Sequence, residues 1–293
     1  MKRNKNKHLT LPILMLLVPL FVWQSRPIVH KDEQTREIAF ANANQTGTLG
    51  LYNINGDMTI EGYNGKSIKM TVTRTIKAES QAMLQKALRE LSLRVDSSGQ
   101  QVWVYLDAPF IQVCRDGNHL SYRNIRHNDD YHFNYAFKVL VPPNTSLYTS
   151  TINGGIEVSG TSDTLNIHGI NGSIELNNVS GITEANTING SIEAHYVKAP
   201  DHDCRYSTIN GDIRVFYPPN LSAVARLQTM HGNLYTDMDN WRVQPVKEVV
   251  RNGNHKGEIQ YRISRNNRVK FGNGGPVYHF KTLNGDIIIK KNQ

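Results

Sequence analysis

The tetrapeptide Thr-Ile-Asn-Gly and its close variants recur down this chain, and through the middle their spacing is nearly fixed. TINGGIEV begins at Thr151, INGSIEL at Ile170, TINGSIEA at Thr187, TINGDIRV at Thr208, TMHGNLYT at Thr229 and TLNGDIII at Thr282, with an early copy, NINGDMTI, at Asn53. Asn153 to Asn171 is 18 residues and Asn171 to Asn189 another 18; Asn189 to Asn210 is 21, and so is Asn210 to His231, which stands in the Asn position. A unit of about 20 residues holding short alternating strands cannot bury its apolar face alone and must stack on its neighbours. The period therefore predicts an all-β fold, a single-chain parallel β-solenoid with 18 to 21 residues per coil and one short amphipathic helix.

Each position of the repeat has a physical reading. The pairs Asn55-Gly56, Asn153-Gly154, Asn171-Gly172, Asn189-Gly190, Asn210-Gly211 and Asn284-Gly285 are corners, where a positive φ is cheap for Gly and tolerable for Asn. Apolar residues two and four places after Gly, such as Ile156 and Val158 or Ile174 and Leu176, point to one side and form the core. Glu157, Glu175 and Glu193 lie between them and face out, so stacking in register makes an acidic ladder whose next rung is Arg214.

The remaining chain sets the domain plan. Lys2, Arg3, Lys5 and Lys7 precede the apolar run LTLPILMLLVPLFVW, which reads as an export signal over residues 1–25. The run has 15 residues, fewer than the ~20 of an untilted membrane span, and Pro12 and Pro19 interrupt it. Trp23-Gln24-Ser25 is a poor cleavage site, so a cleaved signal and an uncleaved anchor both stand. Residues 26–36 read as a linker and residues 37–293 as the repeat domain. Within it, Met83, Leu84, Ala87, Leu88 and Leu91 share one face of a helix over about 79–93, and residues 114–130 form a polar loop.

Mean hydropathy is −0.47, which argues against a multi-pass membrane domain. The formal charge of +8 is uneven: residues 241–293 hold eleven Lys and Arg against Glu248, Glu258 and Asp286. This basic C-terminal end reads as a solvated face or as a surface for an anionic partner. The cations are not interleaved with stacking aromatics, so nucleic acid is not expected as a partner. Cys114 and Cys204 are the only cysteines; a disulfide closing the 90 residues between them would be worth ~4 to 5 kcal/mol, and two separate core thiols are the alternative.

The phrases NINGDMTIEGYNG, SQAMLQKALREL, VPPNTSLYTSTINGGIEVSG, YSTINGDIRVFYP, MHGNLYTD and FGNGGPVYHFKTLNGDIIIKK together resemble the bacterial putative adhesin family, relatives of the head GIN-domain proteins. The resemblance covers nearly the whole chain beyond the export segment. It implies a β-solenoid at the cell envelope and no catalytic residues.

Three functions compete. A noncatalytic exported protein of the periplasm or cell surface would act as an adhesin or scaffold, binding a protein or glycan through its faces. A carbohydrate-active β-helix enzyme would act on acidic polysaccharide, using the Glu ladder or the basic end. A periplasmic sensor or accessory protein would be tethered by residues 1–25, its only membrane contact. The ladder is equally a solvated strand face or a site for a cation such as Ca²⁺. His119, His127, Asp129, Asp130 and His132, and separately Asp201, His202, Asp203 and Cys204, cluster without a metal-ligand spacing, and nothing in the sequence points to a cofactor.

Overall fold

A computed structural model describes residues 26–116, 119–123, 130–244 and 267–292. The chain opens with β1 (Ile28–Ala39), β2 (Gly47–Tyr52), β3 (Met58–Gly62) and β4 (Ser67–Ala78), forms helix α1 (Gln81–Glu90), and returns through β5 (Ser92–Ser98) and β6 (Gln101–Asp107). A hairpin of β7 (Gln112–Asp116) and β8 (His119–Arg123) precedes β9 (Tyr131–Val141). The repeats then supply β10 (Thr145–Asn153), β11 (Ile156–Ser159), β12 (Leu165–Asn171), β13 (Ile174–Val179), β14 (Thr183–Asn186), β15 (Ile192–Tyr196), β16 (Cys204–Ser207) and β17 (Ile213–Tyr217). The C-terminal part contains β18 (Ala223–Gln228), β19 (Leu234–Thr236), β20 (Trp241–Gln244), β21 (Asn267–Phe271), β22 (Val277–Lys281) and β23 (Ile287–Lys291).

Two large sheets enclose one continuous hydrophobic core. The first runs β1-β4-β9-β3-β11-β13-β15-β17-β23-β19 and the second β20-β21-β18-β22-β16-β14-β12-β10-β2-β6-β5. This corrects the expected single parallel solenoid, because both sheets are mixed. β1 with β4, β4 with β9, β5 with β6, and β21 with both β18 and β20 pair antiparallel. Parallel pairing is confined largely to the repeat strands, whose fixed period cannot speak for hairpins on either flank. Strand order also departs from chain order: β22 lies between β16 and β18, and β23 between β17 and β19. The 53 residues from His231 to Asn284 break the period because the last copy inserts between two earlier ones.

The corners are tied by side chains. Asn153 Nδ2 donates to Asn55 Oδ1 at 2.8 Å, and the pattern repeats from Asn171 to Asn153, Asn189 to Asn171, Asn210 to Asn189 and Asn284 to Asn210 at 2.7–2.8 Å. An interior rung must donate and accept at once, which a carboxamide does. His231 occupies the terminal rung, where donation alone suffices, and its Nδ1 lies 3.1 Å from Asn284 Oδ1. The Thr of the motif donates to the Gly carbonyl of the neighbouring corner: Thr187 to Gly172, Thr208 to Gly190, Thr282 to Gly211 and Thr229 to Gly285, at 2.8–3.0 Å. In the first copy Asn53 takes this role, its amide reaching the Gly56 and Tyr135 carbonyls. At Gly211 glycine is required by proximity as well as by φ (+154°), since a Cβ there would sit 2.2 Å from the Gly190 carbonyl oxygen.

Inside, Ile156, Ile174, Ile192, Ile213 and Ile287 align across the first sheet in register, each worth about 1.5–3 kcal/mol of burial. Toward the C-terminal end the core turns aromatic. Tyr196 stacks on Tyr217 (5.1 Å), Tyr217 on Tyr278 (5.3 Å) and Tyr206 on Phe280 (4.9 Å). The Tyr196 hydroxyl meets Thr183 and Tyr206, so these buried hydroxyls satisfy one another.

Several expected boundaries move. The export segment, residues 1–25, lies outside the described residues. The supposed linker, 26–36, is mostly strand: β1 pairs with β4 through its whole length, and Arg74 forms a two-pronged ion pair with Asp32 at 2.8 and 2.9 Å. Only Ile28 and Ile38 at its two ends pack on the core, with polar residues between them, so the strand is held mainly by pairing and charge. Helix α1 is shorter than 79–93, since Ser80 caps its start by accepting from the Met83 N–H and Leu91 leaves the helix in extended conformation. Leu84, Ala87 and Leu91 join the main core where α1 carries the chain from the first sheet to the second.

The Asn189→Ala variant, which loses two rung hydrogen bonds, should lower unfolding free energy in urea by about 1–2 kcal/mol. His231→Asn at the terminal rung should stay within about 0.5 kcal/mol of the parent.

Candidate functional site

The outer face of the second sheet is divided in two. At one end it is covered by the β7–β8 hairpin, which corrects the reading of residues 114–130 as an irregular loop. Leu120 packs with Tyr52 and Trp103, the Trp103 ring lies over Gly50, and the Arg115 guanidinium sits 4.3 Å above that ring. Tyr122 Oη accepts from the Leu106 N–H and donates to the Tyr52 carbonyl, which fixes the hairpin in place.

At the other end the described residues form a cleft of about 1120 Å³. Arg205 on β16, His279 on β22, Arg226 on β18 and Arg268 on β21 are in register on four adjacent strands, so they form one row across the cleft. A second row, two residues further along β14, β16, β22 and β18, holds Asn186, Ser207, Lys281 and Gln228, and β14 sets Glu184 beside Arg205 at the end of the first row. Ile188, Ile209 and Leu283, the motif residues before each corner Asn, make a half-exposed aliphatic rim beyond it. Among the described residues Arg205, Arg226, Arg268 and Lys281 form no ion pair, and Arg268 Nε is buried without a hydrogen-bond partner.

Burial holds the His279 imidazolium pKa below its ordinary value; Arg226 and Arg205 reinforce this, and Asp203 opposes it. The row is thus an anion-attracting surface whose central imidazole is neutral at pH 7.

The acidic ladder lies on the opposite side of the molecule. Glu157, Glu175 and Glu193 are adjacent in register on β11, β13 and β15, and Arg214 on β17 follows. Arg214 bonds Asp212 at 2.6 Å, and Glu193 meets His195 at 3.0 Å, which in turn stacks on Phe216. Among the described residues no group of three or more His, Cys, Asp and Glu side chains is arranged to hold a metal. Of the polar cluster, His127 and Asp129 lie outside the described residues, and Asp130 pairs with Lys86. Asp201 and His202 bond each other on the surface at 2.6 Å.

Both cysteines are free, which corrects the candidate disulfide. Cys114 is on the hairpin over β2, whereas Cys204 on β16 stands four strand spacings from β2, ~19 Å away and far beyond disulfide reach. Burial pushes the Cys204 thiol up to about 11, and its sulfur accepts from the Thr183 N–H.

The basic row was half legible. Counting five residues before each corner Asn gives Tyr148, Asn166, Glu184, Arg205, Arg226 and His279, a column that only the true stacking order turns into neighbours. Arg268 comes from an antiparallel strand outside the repeat and left no periodic trace.

No family model matches this chain, and no curated protein matches it. Among solved structures it is similar to a putative cell adhesion protein from Clostridium sporogenes, with 10% identity and a TM-score of 0.40, covering 90% of this chain and 100% of that one. A putative adhesin from Bacteroides fragilis shares 8% identity at a TM-score of 0.41, with 89% and 97% covered. A putative lipid binding protein from Parabacteroides distasonis shares 13% at 0.36, again with 89% and 97% covered. Overlays this loose bear on neither the ligand nor the role of this chain.

Two measurements check the site. The unfolded chain takes up the His279 proton before the folded one does, so stability is full above about pH 6.5 and falls as the pH drops through that value; His279→Gln should flatten this part of the pH–stability curve. Reductant should leave the thermal midpoint unchanged, since no disulfide is present to break.

Proposed function

We propose that this chain is a noncatalytic exported protein of the bacterial envelope that holds an anionic partner in the cleft of the second sheet. One observation carries the reading: three arginines, a lysine and a histidine converge on one concave surface with no carboxylate paired to the arginines or the lysine among the described residues. Fixed cations crowded this way repel one another, and a bound polyanion relieves the repulsion. The export segment read from residues 1–25 supports the envelope location, and among the described residues no helix is long and apolar enough to cross a membrane.

An enzyme built on the acidic ladder is disfavoured by placement. Glycoside hydrolysis needs two carboxyl groups flanking one bond, and the ladder carboxylates face away from the cleft on the other sheet. A ligand in the cleft cannot reach them.

Retention on an immobilised polyanion should fall steeply with added salt. The double variant Arg205→Glu, Arg268→Glu should lose at least about tenfold in affinity, about 1.4 kcal/mol, without a change in circular dichroism. New reducing ends or unsaturated products from an acidic polysaccharide would sink the noncatalytic reading, and resistance of the protein to protease shaving of intact cells would place it in the periplasm.

A further inference from the structure

Resting on that reading, we infer that the cleft takes a linear acidic glycan with one carboxylate per sugar, laid across the strands so that four successive carboxylates meet Arg205, His279, Arg226 and Arg268. Neighbouring strands are about 4.8 Å apart, close to the length that one sugar adds to an extended polysaccharide. Each strand step therefore advances the ligand by one sugar and presents one cationic or protonatable side chain. Three of the four positions are Arg, whose planar fork matches a carboxylate with two parallel hydrogen bonds. The unpartnered Arg268 Nε is a donor that such a carboxylate would satisfy.

The flanking rows favour a sugar over other polyanions. Asn186 and Gln228 carry amides that both donate and accept, as hydroxyl recognition requires, whereas a polyphosphate chain offers acceptors alone. The aliphatic rim of Ile188, Ile209 and Leu283 can pack against the C–H edges of sugar rings. The large aromatics along the cleft floor, Tyr206 and Phe280, are buried in the core, so among the described residues lining the cleft no stacking platform serves the bases of a single-stranded nucleic acid.

The test is calorimetry of the full chain with oligogalacturonates of increasing length, their methyl esters and inorganic polyphosphate. Affinity should rise about three- to fivefold per sugar up to the fourth and then level off, and the uncharged esters should not bind. Arg205→Gln, at one end of the row, should move the plateau from four sugars to three, a shift that misfolding would not imitate. An affinity that climbs with length without a break, or polyphosphate bound as tightly as uronate of equal charge, overturns the inference while leaving an anion-binding cleft. Failure of every polyanion to bind overturns both the inference and the proposed function.

Discussion

The hydrogen bond from one corner Asn to the next is the constraint on which the other alignments rest. Its length admits one stacking distance, and because the amide must donate to one neighbour and accept from the other, it admits one register. The close approach of Gly to the neighbouring carbonyl makes the same demand sterically. Once the corners coincide, residues at equal offsets from them also coincide on the adjoining strands. Ile packs on Ile inside, and outside the charged columns fall into line whether or not their charges suit one another.

That rigidity explains where the molecule concentrates its irregularities. Like charges stacked along Glu157, Glu175 and Glu193 cost little because they face water, and the next rung turns to Asp212 and leaves them unpaired by it. The cationic row faces a concavity, where water screens the same repulsion less. Beneath it the core has exchanged aliphatic columns for stacked tyrosines whose hydroxyls bond to each other. Burial raises the Tyr206 and Tyr217 pKa values far above normal, so these groups stay neutral and the floor under the arginines adds no compensating charge.

Much of this was present in the sequence, for physical reasons that also mark where reading stops. A repeat reports its own strands, so the corners, the inward Ile positions and the outward Glu column could be taken from spacing alone. It says nothing about strands that pair antiparallel, and the mixed sheets, edge strand β1 and Arg268 were invisible for that reason. The β7–β8 hairpin hid because its apolar residues, Leu120 and Tyr122, serve a small local cluster and never form a period. His231 was legible as an exception, but its meaning depended on knowing that it closes the row of amides.

The insertion of the last strand pair between two earlier ones has a consequence for how the chain matures. β18 and β19 leave the ribosome some fifty residues ahead of β22 and β23, yet they have no parallel partner until β22 and β23 arrive. Closure of this part of the fold is thus a long-range event, slow by its topology and dependent on β22 and β23. Loss of β22 and β23 would remove a strand from within each sheet and leave β18 and β19 without their parallel partners. His279 and Lys281 lie on β22, so the cationic row and the long-range closure of both sheets are built from the same stretch of polypeptide.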